Sequence, residues 1–261
     1  IWFLLNFEQV PSREWVGMSG EARRNAYLAM QRLAERMGMP AHEVRSLAAL
    51  GQLPPEGVLL LPQPRGELAR RERARLLDWA AGGGHLVIEA EPARVPDPLL
   101  DALGVARKGV RTKGPRKPTE IDWPGARRPL RADLPTWLTL EAKSPQSSQS
   151  PRSPHFAAGG PDGALLLQLA HGKGRVTVIN DFGFLQNRRI GAHDHAELGW
   201  RIVDASGPAA ALLVFTNPER LSLTHWLRAN AAAVLVAFAT FIVLWLWRIA
   251  PRFGPIAPDP D

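Results

Sequence analysis

The chain has 261 residues, 45% of them hydrophobic and 22% charged, with a net charge of +7 and no cysteine. That length holds one domain with a sizeable core plus appended segments, and the lack of cysteine excludes disulfides, a thiol nucleophile and a thiolate metal site. The charge is concentrated between Arg107 and Arg131, where nine basic residues face two acidic ones, so the rest of the chain is neutral.

The opening run IWFLLNF (residues 1–7) is too short to span a bilayer and reads as the end of a truncated membrane helix, or of a signal sequence. After an extended linker from Pro11, SGEARRNAYLAMQRLAERMG predicts one amphipathic helix, with Ser19 as N-cap, Ala26, Met30, Leu33 and Met37 at helical spacing, and Gly38 as the stop. Short strands follow at Glu43–Leu47 and Val58–Pro62, the second an apolar run of the kind buried in parallel sheets.

ELARRERARLLDWAAGGG predicts a second helix, ended by three glycines from Gly82, and HLVIEA (residues 85–90) the next strand. Strand, helix, strand with short connections is a right-handed crossover unit of an α/β sheet. Arg70, Arg71, Arg73 and Arg75 read as the solvated face of that helix.

From 107 to 154 the patterning fails, and the stretch reads as a basic and low-complexity loop whose Ser/Pro-rich part, 143–154, is disordered. Its charge suits anionic headgroups or an acidic partner, though a solvated Gly/Pro-rich loop is the plainer account. Nucleic-acid binding is disfavoured, because only Trp123 interleaves the charges.

ALLLQLAHGKGRVTVIND predicts a β-hairpin with Gly172 and Gly174 at the tight positions, and AALLVF (residues 210–215) the last strand. Between them lies NRRIGAHDHAELGW. Asp194 and Glu197 match a capping box, and Leu198, Ile202 and Ala205 give the following helix a buried face shared with His195. Metal binding needs three or four converging ligands, so the cap is the stronger reading there, and no metal or cofactor is expected.

A linker helix is expected from residue 217, and the apolar run Ala231–Trp247 reads as a transmembrane helix ending near residue 248, with Trp226, Trp245 and Trp247 at its borders. Residues 249–261 then begin a cytoplasmic tail, with the 11–216 body outside the cytoplasm. The arginines flanking the run nearly balance, so charge favours this orientation only slightly.

Together SGEARRNAYLAMQRLAERMG, LPPEGVLLLP, RARLLDWAAGGGHLVIEA, DPLLDALGV, GKGRVTVINDFGFLQNRRIGAHDHAELGW and LWLWRIAPRFGP resemble the bacterial membrane-protein family catalogued as domain of unknown function 4350. The resemblance covers nearly the whole chain apart from the basic loop. It implies an α/β fold, a mostly parallel open sheet flanked by helices of the class I glutamine amidotransferase-like kind. It further implies a bacterial inner-membrane setting with the domain extracytoplasmic, contact with the lipid bilayer, and protein partners in the membrane or envelope, for which a MoxR-type ATPase system, often encoded nearby in this family, is the candidate. It supplies architecture and no chemistry. The catalytic elbow of that fold would follow HLVIEA, where Glu91, Pro92 and Ala93 offer neither a nucleophile nor a glycine pair.

Two functions compete. One is a membrane-anchored, non-catalytic binding or assembly module with a crevice at the carboxyl ends of its strands, near Arg65, Glu89, Glu91, Asn180, Asp181 and Asn187, with His193 and His195 as further ligand-binding candidates. The other is a membrane-bound hydrolase built on Glu89, Asp181, His193 and His195, with or without a metal. A transporter subunit is disfavoured, since no ionisable residue interrupts the apolar run.

Overall fold

In the computed structural model, residues 17–45, 53–64, 68–110, 118–142, 154–160, 163–207, 209–216 and 223–249 are described, the last helix with side chains from 236 onward. The N-terminal run, the stretches 46–52, 65–67 and 143–153, and the tail beyond Ile249 lie outside the described residues, so the expectations for residues 1–7, the Ser/Pro-rich segment and the cytoplasmic tail concern parts not described. The chain divides into two units, Ile1–Asn217 and Pro218–Asp261.

In chain order the first unit contains α1 (Gly20–Arg24), α2 (Leu28–Arg36), β1 (Ala41–Val44), β2 (Val58–Leu61), α3 (Arg70–Ala81), β3 (His85–Glu89), α4 (Pro98–Leu103) and β4 (Val105–Gly109). There follow β5 (Thr119–Ile121), β6 (Leu130–Ala132), β7 (Leu138–Ala142), β8 (Phe156–Gly160), β9 (Gly163–His171), β10 (Gly174–Ile179), a 3₁₀ turn (Gly183–Leu185), α5 (His195–Asp204) and β11 (Leu212–Phe215).

The main sheet runs β1-β11-β2-β3-β10-β9-β7-β4, with β8 on β9. From β1 to β10 every pairing is parallel; from β10 to β4 every pairing is antiparallel. The parallel sheet expected from the apolar runs is therefore one half of a mixed sheet. Alternate residues separate two layers. Val58, Leu60, Val87, Leu212 and Val214 pack with Met30 of α2 and Leu198 and Ile202 of α5, while Leu59, Leu61, Leu86, Ile88 and Leu213 pack with Leu76 of α3 and Leu99, Leu100 and Leu103 of α4.

Several local expectations change. Ser19 caps α1 by accepting from Ala22 N at 3.1 Å, but the predicted single helix breaks at Asn25. The Asn25 side chain accepts from Tyr27 N at 2.9 Å and donates to Gln31 Oε1 at 2.7 Å, the local competition with helix hydrogen bonding that Asn offers. The first strand lies at Ala41–Val44 rather than Glu43–Leu47. The hairpin is as expected: Gly172 has φ 61°, and a Cβ on Gly174 would sit 2.2 Å from Ala80 O, so the turn fits closely against the end of α3.

The larger correction concerns the 107–154 loop, which carries four strands among its described residues. β4 and β7 extend the main sheet, and β5 and β6 form a small second one. They escape the sequence pattern because they are short and edge-like: β4 buries only Val105 and carries Arg107 and Lys108, the charges that blunt an exposed edge.

The second unit contains α6 (Leu223–Ile249). The expected transmembrane helix is not found: among the described residues no helix is long and apolar enough to cross a membrane. Side chains are described over residues 236–249 of this helix. Within them Val236, Phe238, Phe241, Val243, Leu244, Trp245, Leu246 and Trp247 are exposed.

Candidate functional site

Because β2, β3 and β10 are parallel neighbours, the loops after Leu61, Glu89 and Ile179 emerge along one edge of the sheet. Beside it, on the α3/α4 face, lies a cleft of about 670 Å³ lined by Pro64, Leu68, Ala69, Arg73, Glu91, Val95, Pro96, Asp97, Pro98 and Leu99. That volume is in the range of small-molecule sites, and the carboxyl edge of parallel strands is their usual place.

Polar groups hold its walls. Glu89, buried at the end of β3, accepts from Gln63 N at 2.8 Å, Gln63 Nε2 at 3.1 Å and Phe182 N at 2.9 Å, tying the loops after β2 and β10 to its own strand. Burial pushes its carboxyl above the usual range, against the opposing effect of those three N–H donors. Arg107 reaches from β4 and donates to the carbonyls of Glu91 (2.9 Å), Pro92 (3.0 Å) and Val95 (2.9 Å), which fixes the loop after β3. Asp97 caps α4 by accepting from Leu100 N at 3.3 Å, with Pro98 in the first turn.

Of the residues expected at the site, Glu91 alone lines the cleft, while Arg65 lies outside the described residues. Glu89 stands behind the wall as a brace. Asn180 is fully buried and donates to Pro135 O and to Leu138 O, anchoring β7, and Asp181 accepts from Gly183 N in the 3₁₀ turn. Asn187 bonds three backbone groups through its side chain: it accepts from Ala29 N at 2.8 Å and donates to Ala22 O at 2.9 Å and Asn25 O at 2.7 Å. It thereby caps the end of α1 and the start of α2 from a distance.

The histidine pair and its helix start are held by a different device from the one the sequence suggests. Asp194 occupies the N-cap position of α5 but makes no side-chain cap bond, and Glu197 pairs with Arg201 one turn on, at 2.9 Å. The capping-box expectation is thus corrected. Asp194 instead accepts from Arg128 through both oxygens, at 2.8 and 2.6 Å, and from Arg131 N at 2.9 Å, which holds its carboxyl well below the usual range.

His195 is 0% exposed. Its Nε2 lies 2.9 Å from Asp133 N, which can only donate, so Nε2 accepts and Nδ1 carries the proton, donating to Arg189 O at 2.6 Å. Both ring nitrogens are occupied, and burial lowers its pKa. His193, with φ 44°, stands 3.5 Å from Asp133 Oδ1, a carboxylate also paired with Arg189 at 3.2 Å. Among the described residues no group of three or more His, Asp or Glu side chains could hold a metal ion.

Sequence reasoning missed Arg73, Val95 and Pro96 of the cleft. Arg73 hid inside an arginine-rich helix face. The available signal was the proline spacing in EPARVPDP, which marks a stiff loop directly after a buried strand.

A family model described as Domain of unknown function (DUF4350) matches residues 19–203. The chain belongs to this family. The DUF4350 match runs from the N-cap of α1 into α5 and includes the cleft, leaving β11 outside it. No functionally curated protein matches the sequence. Among solved structures, the exo-beta-1,4-mannosidase Op5Man5 from Opitutaceae bacterium strain TAV5 aligns with a TM-score of 0.43 and 16% identity over 77% of this chain and 32% of its own. The mmIFT52 N-terminal domain aligns with 0.47 and 12% over 68% and 89%. The E323A catalytic mutant of Gan42B, a GH42 beta-galactosidase from G. stearothermophilus, aligns with 0.43 and 14% over 72% and 27%. This DUF4350 chain thus spans about a third of the mannosidase's length.

Proposed function

We propose that the protein is a non-catalytic binding module whose ligand site is the cleft between α3 and α4. One observation carries this: a cavity of about 670 Å³ at the carboxyl edge of β2 and β3, with walls fixed in advance by Glu89, Arg107 and Asp97. Fixing the walls before the ligand arrives lowers the ordering cost of binding. A second feature agrees. Among the described large hydrophobic residues of the first unit only Met37, at 52%, and Val95, at 44%, are exposed, and Val95 is on the lip of the cleft.

The finer class we infer is the glutamine amidotransferase-like α/β fold with its catalytic elbow replaced. The support is the position after β3, where Glu91, Pro92 and Ala93 stand without a nucleophile and Arg107 holds the carbonyls of Glu91 and Pro92. The setting we infer is the bacterial inner membrane, with the domain outside the cytoplasm and a MoxR-type ATPase system as partner. The apolar run 231–247 and the exposed apolar side chains of α6 support attachment to a bilayer, and family resemblance supports the rest. A periplasm-only reporter fused after Asp261 that proves active reverses the orientation.

The binding reading is tested by saturation-transfer NMR of the full chain with a panel of small amphipathic fragments, against wild type and Val95→Asp. Val95 is exposed enough for the substitution to leave the melting temperature unchanged. Fragments that compete with one another and are lost in Val95→Asp support the reading. Equal binding to both proteins, or none, overturns it.

A further inference from the structure

We infer that the cleft takes a small amphipathic anion, an apolar body carrying one carboxylate or phosphate head, with Arg73 as the group that receives the head. The inference rests on the cleft being the binding site and adds the chemistry of what it holds.

Three charged side chains line the cleft, and they differ in what they have to spare. Asp97 accepts backbone N–H groups from Leu100 and from Glu91, and both Asp97 and Glu91 have further partners within the protein. At Asp97 the two backbone N–H groups already offset the carboxylate's charge. Arg73 is half-buried, and among the described residues its guanidinium has one partner, the carbonyl of Leu68. A guanidinium has five N–H donors, so most of Arg73's remain for something else. Walled by apolar surface that limits access to water, such donors favour an anion, and the planar fork matches the two oxygens of a carboxylate or phosphate.

The rest of the lining fixes the other end of the ligand. Pro64, Leu68, Val95, Pro96 and Leu99 present only carbon to the cavity through their side chains, so a hydrated polar body gains nothing there and an alkyl or aryl body is desolvated favourably. Val95 extends that apolar surface to the lip. Arg73 lies one turn into α3, whose Leu76 and Ala80 are packed against the sheet, so the charge is held on a rigid element.

Isothermal titration of the full chain in lipid nanodiscs at pH 7.5, with empty nanodiscs as blank, tests this using hexanoate, hexyl phosphate and 1-hexanol. Hexanoate or hexyl phosphate should bind at least tenfold more tightly than 1-hexanol, the tighter of the two identifying the head as carboxyl or phosphoryl. Arg73→Met, which keeps the aliphatic stem, should erase that preference, the anions then binding the variant no more tightly than 1-hexanol does; Arg73→Lys should retain part of it. If 1-hexanol binds as tightly as the anions, or Arg73→Met keeps the preference, the anion assignment is wrong while the cleft remains a binding site. If none of the three binds wild type, the cleft reading itself falls.

Discussion

Replacing Asn187 separates a structural residue from a ligand contact. Its side chain satisfies Ala29 N, a donor in the first turn of α2 that has no intrahelical partner, and Ala22 O and Asn25 O at the end of α1. Asn187→Ala removes three hydrogen bonds at a half-buried site. At about 1 kcal/mol net for each, the loss is about 3 kcal/mol. For a domain of this size that lowers the midpoint by roughly 6–12 °C. Asn187→Asp is the sharper variant: it keeps an acceptor for Ala29 N but turns a carboxylate toward two carbonyl oxygens, so it should be at least as damaging as Ala despite its near-identical shape. Urea and thermal melts followed by circular dichroism read both. If Asn187 were a solvent-facing ligand contact, both variants would fall within about 0.5 kcal/mol of wild type. That result would refute the reasoning.

Other substitutions give distinct readouts. His85 is buried beside Thr177, 2.8 Å away, and its pKa is lowered to about 3, so the fold favours neutral imidazole; stability is complete above the usual value near 6.5 and is lost as pH falls toward 3. Urea melts at pH 6.5 and 4.5 should show wild type losing about 2–3 kcal/mol more than His85→Gln over that interval. Asp194→Asn should destabilise by about 1 kcal/mol in thermal melts, because Asn cannot serve both oxygens' partners, whereas a plain N-cap would leave it neutral. Arg107→Met should raise amide hydrogen exchange in residues 91–97 more than elsewhere, with a stability loss of about 1–2 kcal/mol.

What could be read beforehand follows how each feature is encoded. The crossover unit from β2 to β3, the hairpin of β9 and β10 and the helix over α5 rest on local periodicity and glycine placement, and they stand where the apolar runs put them. The antiparallel edge strand β4 and the small β5/β6 sheet were hidden, because these strands are three to five residues long and hold too few buried positions to show a pattern. The expected site residues were chosen as polar groups near strand ends, and there the sequence cannot tell a brace from a contact. Glu89, Asn180, Asn187 and His195 each bond a backbone group far along the chain, at Phe182, Leu138, Ala22 and Asp133. Long-range pairings of this kind leave no local spacing. Arg73 shows the converse: one cleft residue among four arginines of similar local context.

Hydrogen exchange by mass spectrometry on the full chain, with and without saturating hexanoate, tests the central claim most directly. Protection confined to residues 68–73 and 91–99, and absent in Val95→Asp, is the predicted result. Protection centred elsewhere, for example around His193 and Asp133, or none in wild type, would contradict it.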